Sequence, residues 1–249
     1  MANIRVVYED ANFIIVDKSA GLLVHGTRVS LREPNLTDWL KNNYPEVKNV
    51  GDDPEYRPGI IHRLDKDTSG LIIIARNQKT FEYLKKLFQD HAIKKNYIAL
   101  VWGDVQASSG TINEPIGLKR GTTRRTTSLK GVKLVKDAVT SFQKLETLEF
   151  NGQKFTLLKV LPLTGRTHQI RVHLNSLNHP VVGDGLYGGA KQQEIKLKLS
   201  LSRQFLHAES VEFTDQNGSR INVSSDLPED LESALNLLRA GQGDLRKHN

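Results

Sequence analysis

"RPGIIHRLDKDTSGLIIIAR", residues 57–76, sets the terms for reading this chain. His62, Arg63, Asp65, Lys66 and Asp67 place five ionisable groups within six positions. Directly after them, Leu71 to Ile74 run apolar without a break, the pattern of a strand covered on both faces. Between the two, Asp67-Thr68-Ser69-Gly70 has the composition of a side-chain-stabilised turn that launches the strand. A strand so buried needs a sheet around it, and the charged cluster at its mouth is the first candidate for chemistry.

Outward from this stretch, the pattern alternates between strands and short helices. Upstream, "IRVVYEDANFIIVDKSAGLLVHG" reads as strands with a turn at Asp10-Ala11-Asn12 and a break near Ser19-Ala20-Gly21. "LTDWLKNNYP" is a short helix capped by its threonine and ended by Pro45, and residues 49–59 are loop. Downstream, residues 78–90 carry Phe81, Leu84, Leu87 and Phe88 at helical spacing. "KKNYIALVWGDV" is a strand. "AVTSFQKLETLEF" and "QKFTLLKVLPL" form a hairpin about Asn151-Gly152, a pair that accepts positive φ. "GRTHQIRVHLNSLNH" reads as a helix with an Ile170, Leu174, Leu177 stripe. A second hairpin spans 205–224 about Asn217-Gly218, and a closing helix leads into a loose tail within 228–249. Strands dominate without regular strand–helix alternation, which implies an α+β fold on a mainly antiparallel sheet. With no repeat or Pro- or Ser-rich linker, the 249 residues are expected to form a single domain with its core at about 5–230.

The chain has no cysteine, so disulfides, thiolate metal sites and cysteine nucleophiles are excluded. No window approaches the ~18 apolar residues of a membrane span, and the amino terminus has no signal-peptide pattern. A cytoplasmic protein without a membrane partner is expected. The formal charge of +7 is concentrated in an arm at 119–136, "KRGTTRRTTSLKGVKLVK", which has seven Lys and Arg and no acid. Its glycines and threonines suggest a mobile hairpin or long loop. Such an arm suits a nucleic-acid phosphate backbone, because neutralising phosphates releases counterions. The alternative reading is a solvated basic loop.

Two stretches carry candidate chemistry. Asp65 against a buried strand loses solvation and calls for a cation to keep it ionised. Arg63 is a local option, and a partner from elsewhere in the chain is the other. "TGRTHQIRVHLNSLNHPVVGDGLYGG" gathers Arg166, His168, Arg171, His173 and His179; on a helix His168 and Arg171 share a face. A solvated amphipathic helix is the bland reading of the same residues. A metal at His62, Asp65 and Asp67 is disfavoured, since Arg63 and Lys66 repel a cation and no ligand-spacing motif is present. "GDGLYGG" lacks the ending of a phosphate-binding loop and reads as a turn. One carboxylate, arginines and a basic arm suit an enzyme that acts on nucleic acid without a metal, its carboxylate serving as nucleophile or base at a sugar. Such an enzyme extrudes its nucleotide and stacks the base, and Tyr97, flanked by Lys94 and Lys95, is the best aromatic for that. An ordinary strand tyrosine is the alternative.

"HRLDKDTSGL" (62–71), "KKNYIALVWG" (94–103) and "TGRTHQIRVHLNSLNHPVVGD" (164–184) together resemble the signature blocks of RluA-type pseudouridine synthases. The likeness extends over roughly residues 5–230. It implies the pseudouridine synthase fold, with a long mixed sheet, flanking helices and a central RNA cleft, and an activity isomerising uridine in structured RNA. Carried over residue by residue, it makes Asp65 the catalytic aspartate, Tyr97 the group that stacks on uracil, and Arg171 the ion-pair partner of Asp65. Arg63 is similar to the arginine that fills the gap left by the extruded base. His62, Lys119, Arg120, Arg124, Arg125, Arg166 and His168 are expected to contact RNA. No metal or cofactor is implied, and a monomer is expected. The likeness begins within the first ten residues, so the small module that many relatives carry ahead of the catalytic domain is not expected. Where relatives often have Pro in the first hairpin, this chain has Ser19 and Ala20. The "RPGIIHRLDKDTSG" form leans toward large-subunit (23S-type) ribosomal RNA as substrate. Transfer RNA and a non-catalytic RNA-binding role are the alternatives, and a glycosidase of another class would need a second acid, for which only Asp67 is on offer.

Overall fold

A computed structural model describes residues 4–26, 33–189 and 191–245. In chain order the strands and helices are β1 (Ile4–Glu9), β2 (Phe13–Lys18), α1 (Leu36–Asn43), β3 (Ser69–Ala75), α2 (Gln78–Gln89) and β4 (Lys94–Trp102). Next come β5 (Ser109–Asn113), β6 (Ile116–Lys119), β7 (Arg125–Thr126), β8 (Val132–Lys136), β9 (Val139–Phe150) and β10 (Gln153–Pro162). The chain continues with α3 (Gln169–Ser176), α4 (Lys191–Lys198), β11 (Leu206–Thr214), β12 (Arg220–Ser224) and α5 (Glu229–Leu245). The fold class is α+β, as the strand-rich pattern predicts. The residues gather into two compact units, 1–95 with 208–226, and 96–207 with 227–249. Among the described residues no helix is long and apolar enough to cross a membrane.

In the first unit the strand order is β1-β2-β3-β11-β12, and β1 on β2, β2 on β3 and β11 on β12 are antiparallel. β3 is therefore flanked on both edges, and all seven of its residues are buried. That accounts for its unbroken apolar run: neither face meets water, so alternation would only leave polar groups unpaired. Gly70 is required where β3 meets β11, because a Cβ at its φ of +116° would lie 2.3 Å from the Ala208 carbonyl oxygen. Phe13, Ile15, Leu71, Ile73, Val211 and Phe213 pack on one face with Phe81 and Leu84 of α2. The α2 stripe is core, as its spacing predicts. In α1 the expected threonine cap is corrected: Asn35 is the N-cap, its Oδ1 accepting from the Asp38 N–H at 3.0 Å and the Thr37 hydroxyl at 2.6 Å. A 3-10 turn over Pro45–Asn49 follows, ahead of the expected loop at 49–59.

In the second unit the order is β4-β10-β9-β5, with antiparallel registers throughout. Asn151 and Gly152, at φ 51° and 69°, make the tight turn that their sequence predicts. The strands' inner side buries Ile98, Leu100, Leu148, Phe155 and Leu157 against Leu231, Ala234, Leu235 and Leu238 of α5, which recur at i, i+3, i+4 and i+7. α5 continues to Leu245, through the start of the expected loose tail. Of the two readings of the basic arm, hairpin or long loop, the hairpin is nearer: β7-β6-β8 is a small antiparallel sheet of its own. α3 is shorter than its pattern suggests. It starts at Gln169, because His168 takes a left-handed conformation at φ 57°, and it ends before Leu177, which is exposed.

Candidate active site

In the first unit, the Asp65 carbonyl accepts the Thr68 N–H at 3.1 Å, closing a turn directly ahead of β3. Lys18 lies behind this turn with no exposure at all. Its ammonium donates to the carbonyls of Ser19 (2.8 Å), Leu22 (2.9 Å) and Lys66 (3.0 Å), so its three protons meet three acceptors. The Lys66 carbonyl also accepts the Gly21 N–H at 2.9 Å. The peptide beside Asp65 is thus stitched to the end of β2 and to the 19–22 loop, while the Asp65 residue itself stays only half-buried. A carboxylate that must react benefits from this arrangement of fixed backbone with an accessible side chain.

The neighbours of Asp65 divide into charged and neutral. Arg63 is exposed, and its Nη1 donates to His25 Nε2 at 3.3 Å. The other ring nitrogen of His25 lies 2.9 Å from the Gly26 carbonyl, which fixes its proton on Nδ1 and leaves Nε2 to accept. Burial first, with Arg57 and Arg63 nearby, holds His25 below its ordinary value, so the ring is neutral. Desolvation and Arg57 also lower Arg63, while Asp65 raises it; a guanidinium nonetheless stays charged at physiological pH. His62 serves the fold. Its Nε2 accepts the Ile73 N–H at 2.9 Å, and its ring lies 4.7 Å from that of Phe88. Burial, with Lys95 nearby, pushes His62 down to about 3, so it brings no positive charge to a phosphate. Lys95, over the Phe88 ring at 5.4 Å, is pushed down to about 8 by burial.

The second unit holds Tyr97 and Arg171. Tyr97, on β4 opposite Val160 of β10, is 9% exposed. Arg171 is buried on α3 and grips Asp184 side-on, Nε to Oδ2 at 2.7 Å and Nη2 to Oδ1 at 2.8 Å. Asp184 Oδ1 also accepts the N–H groups of Leu186 (2.9 Å) and Tyr187 (3.1 Å). Burial raises the Asp184 pKa, but Arg171 and the two backbone donors more than offset that and hold it below the ordinary carboxylate range. The resemblance pairs Arg171 with Asp65. Within its own unit Arg171 is held by Asp184, a partner that local reading missed although it is the only acid between residues 163 and 189. A side-on grip through Nε and Nη2 fixes the plane of the guanidinium.

α3 is buried almost all round, so its polar residues are spoken for rather than solvated. His173 joins the Glu114 carbonyl through Nε2 (2.9 Å) and the Thr140 hydroxyl through Nδ1 (2.8 Å). Gln169 accepts from the Thr164 hydroxyl at 2.7 Å and donates to the Val139 carbonyl at 3.0 Å. The expectation that His168 and Arg171 share a helical face is corrected, since His168 precedes the helix. Tyr187, read from sequence as part of a turn, connects the two nonetheless. Its Oη lies 3.0 Å from His168 Nδ1, and its ring lies 5.2 Å from the Arg171 guanidinium carbon. The arm supplies Arg124, 5.6 Å from the same ring, and the Arg125 N–H, 3.0 Å from Tyr187 Oη. Lys119 and Arg120 are exposed at the end of β6, and half-buried Arg166 donates from Nε to the Asp137 carbonyl at 2.8 Å. Among the described residues no cluster of three or more His, Asp or Glu could hold a metal.

The chain has known counterparts. The family profile described as RNA pseudouridylate synthase matches residues 12–176. An uncharacterised RNA pseudouridine synthase from Chlorobaculum parvum is 38% identical over 95% of this chain and 74% of its own length. The ribosomal large subunit pseudouridine synthase D of Pseudomonas aeruginosa is 37% identical over 95% of this chain and 72% of its own. Among solved structures, human RNA pseudouridylate synthase domain containing 1 superposes with a TM-score of 0.71 at 27% identity, covering 96% of each chain.

Proposed function

The chain belongs to the RNA pseudouridylate synthase family, whose members convert uridine to pseudouridine in RNA, and we propose that its substrate is large-subunit ribosomal RNA. One observation carries the choice of RNA: the similarity to the Pseudomonas enzyme named for the ribosomal large subunit extends over 95% of this chain. Transfer RNA is the competing substrate class. We place the protein in the cytoplasm, acting as a monomer.

In this reading Asp65 does the chemistry. The Lys18 anchor supports the assignment, because it fixes the peptide next to a carboxylate that is itself half-buried. Either of two routes closes without a cofactor. In the first, Asp65 attacks C1′ and the electrons of the N1–C1′ bond leave with uracil. The turned base then attacks C1′ through C5 and expels the carboxylate. In the second, Asp65 takes the 2′ hydrogen as a proton while uracil leaves with the electrons of the N1–C1′ bond, giving a glycal; Asp65 returns the proton to C2′ as the turned base bonds to C1′ through C5. Both end with loss of the C5 proton and a proton on N1, so substrate and product are isomers.

Tyr97 stacks on the displaced uracil, and its place at the start of the second unit's sheet gives it a rigid base. Arg171 keeps the Asp65 carboxylate ionised. Arg63, presented by neutral His25, enters the RNA where the base has left. Lys119, Arg120, Arg124, Arg125, Arg166 and His168 hold the phosphate backbone, and half-buried His62 contributes as an uncharged ring.

Transcripts of ribosomal and transfer RNA carrying tritium at uracil C5 test the reading, because the new C–C bond expels that hydrogen. Release from the large-subunit transcript and not from transfer RNA supports it. Release from transfer RNA alone reassigns the substrate.

A further inference from the structure

The proposed roles leave Tyr187 unused, yet it is the most connected aromatic in the second unit. It is buried with Ile116, Ala138 and Val172, which join the arm's first strand to α3. Its ring lies between two guanidinium groups, Arg124 from the arm at 5.6 Å and Arg171 from α3 at 5.2 Å. Its hydroxyl accepts the backbone N–H of Arg125 at 3.0 Å and meets His168 Nδ1 at 3.0 Å. Its own N–H is held by Asp184, the carboxylate that grips Arg171. A core tyrosine needs one hydroxyl partner; this one has two, and its ring carries two guanidinium groups besides.

We propose that Tyr187 is a positioning residue that couples the basic arm to Arg171, so that RNA seated on the arm fixes the Arg171 guanidinium. The inference rests on the role given to Arg171 above. Arg125 supplies a second, independent observation, since its Nε is buried without a hydrogen-bond partner. An orphaned guanidinium donor is costly, and a phosphate or base oxygen from RNA would satisfy it. The arm as it stands thus carries a donor directed at an acceptor the protein does not provide, one residue from the Arg124 that shares the Tyr187 ring.

The coupling makes two contacts separable. Tyr187→Phe keeps the ring against both arginines and loses the hydroxyl ties to the arm. Tyr187→Leu loses both. The assay measures RNA dissociation constants, single-turnover label release at saturating RNA and thermal melting on the full chain. For Tyr187→Phe we expect binding weakened about fivefold and the rate lowered by a smaller factor, about twofold, from the loss of arm hydrogen bonds. For Tyr187→Leu the order inverts, with the rate lowered about tenfold or more once the ring leaves Arg171. A tyrosine that merely fills the core would lower the melting temperature of both variants while the folded fraction kept wild-type binding and rate, and that outcome overturns the proposal. Tyr187→Phe is nearly isosteric, so its binding result stands if Tyr187→Leu does not fold. If Arg171→Ala released label at the wild-type rate, the role given to Arg171 would have failed. Unchanged binding by Tyr187→Phe in an active wild-type background refutes the coupling itself.

Discussion

Asp65 and Asp184 are both aspartates beside arginine, and the protein treats them oppositely. Asp184 is 3% exposed, with one oxygen accepting three hydrogen bonds and the other gripped by Arg171 Nε. Asp65 is half-buried, and the Thr68 turn and the Lys18 ammonium fix the chain around it. A carboxylate buried within a dense set of hydrogen bonds serves the fold, whereas a half-buried one on a fixed backbone suits chemistry at a sugar. Proximity to arginine therefore does not mark the reactive acid; the way the acid is held does.

The sharpest way to break this contrast is Asp184→Asn. Removing the carboxylate takes the bidentate acceptor from a buried guanidinium, and we expect a loss of about 3–5 kcal/mol in stability by denaturant melts. A loss below 1 kcal/mol would mean that Asp184 is not the structural member of the two. Native Asp184 titrates below the ordinary carboxylate range, so its contribution is present above the unfolded pKa and disappears as pH falls through the folded value.

Lys18→Met comes next. It removes an ammonium from three carbonyls, and we expect a cost of about 1–3 kcal/mol together with a slower label-release rate in the folded fraction, because the peptide beside Asp65 is released. Stability loss with an unchanged rate would show that this anchor serves the fold alone. The smallest effect is at His62. It stays neutral in the fold down to about 3 while the unfolded ring gains its proton near 6.5, so it costs stability as pH falls through that interval. His62→Gln can still accept the Ile73 N–H but does not titrate. Its stability curve is expected to be shallower than wild type between pH 6.5 and 5, and an identical slope would mean that the ring is solvated and charged.

What could be read from sequence was local. The Leu71–Ile74 run identifies its strand because burial on both faces leaves no other composition, and Asn151-Gly152 identifies its turn through φ alone. The anchoring of Asp65 was not legible, since Lys18 and Lys66 are 48 residues apart and nothing in "DKSAGLLVHG" distinguishes a buried lysine from a solvated one. Asn35 and Thr37 are both good caps two residues apart, and propensity does not choose between them. The helical reading overran at both ends: His168 takes a left-handed conformation ahead of Gln169, and Leu177 follows the last helical residue, neither of which spacing reveals. The arm was legible as a hairpin or a loop, and its glycines left open how many strands it forms. Asp184 did carry a signal, as a lone acid among cations and glycines, but that signal invites a turn reading first.

The account comes down to a head-to-head of Asp65→Asn and Asp184→Asn, scored for tritium release under single-turnover conditions and for thermal melting. It predicts that Asp65→Asn melts like wild type and releases label at least about a thousandfold more slowly, as expected for loss of the reacting group. Asp184→Asn melts at a lower temperature and retains measurable release in its folded fraction. Label release by Asp65→Asn at a rate near wild type, with Asp184→Asn inert though fully folded, would contradict the assignment and exchange the roles of the two carboxylates.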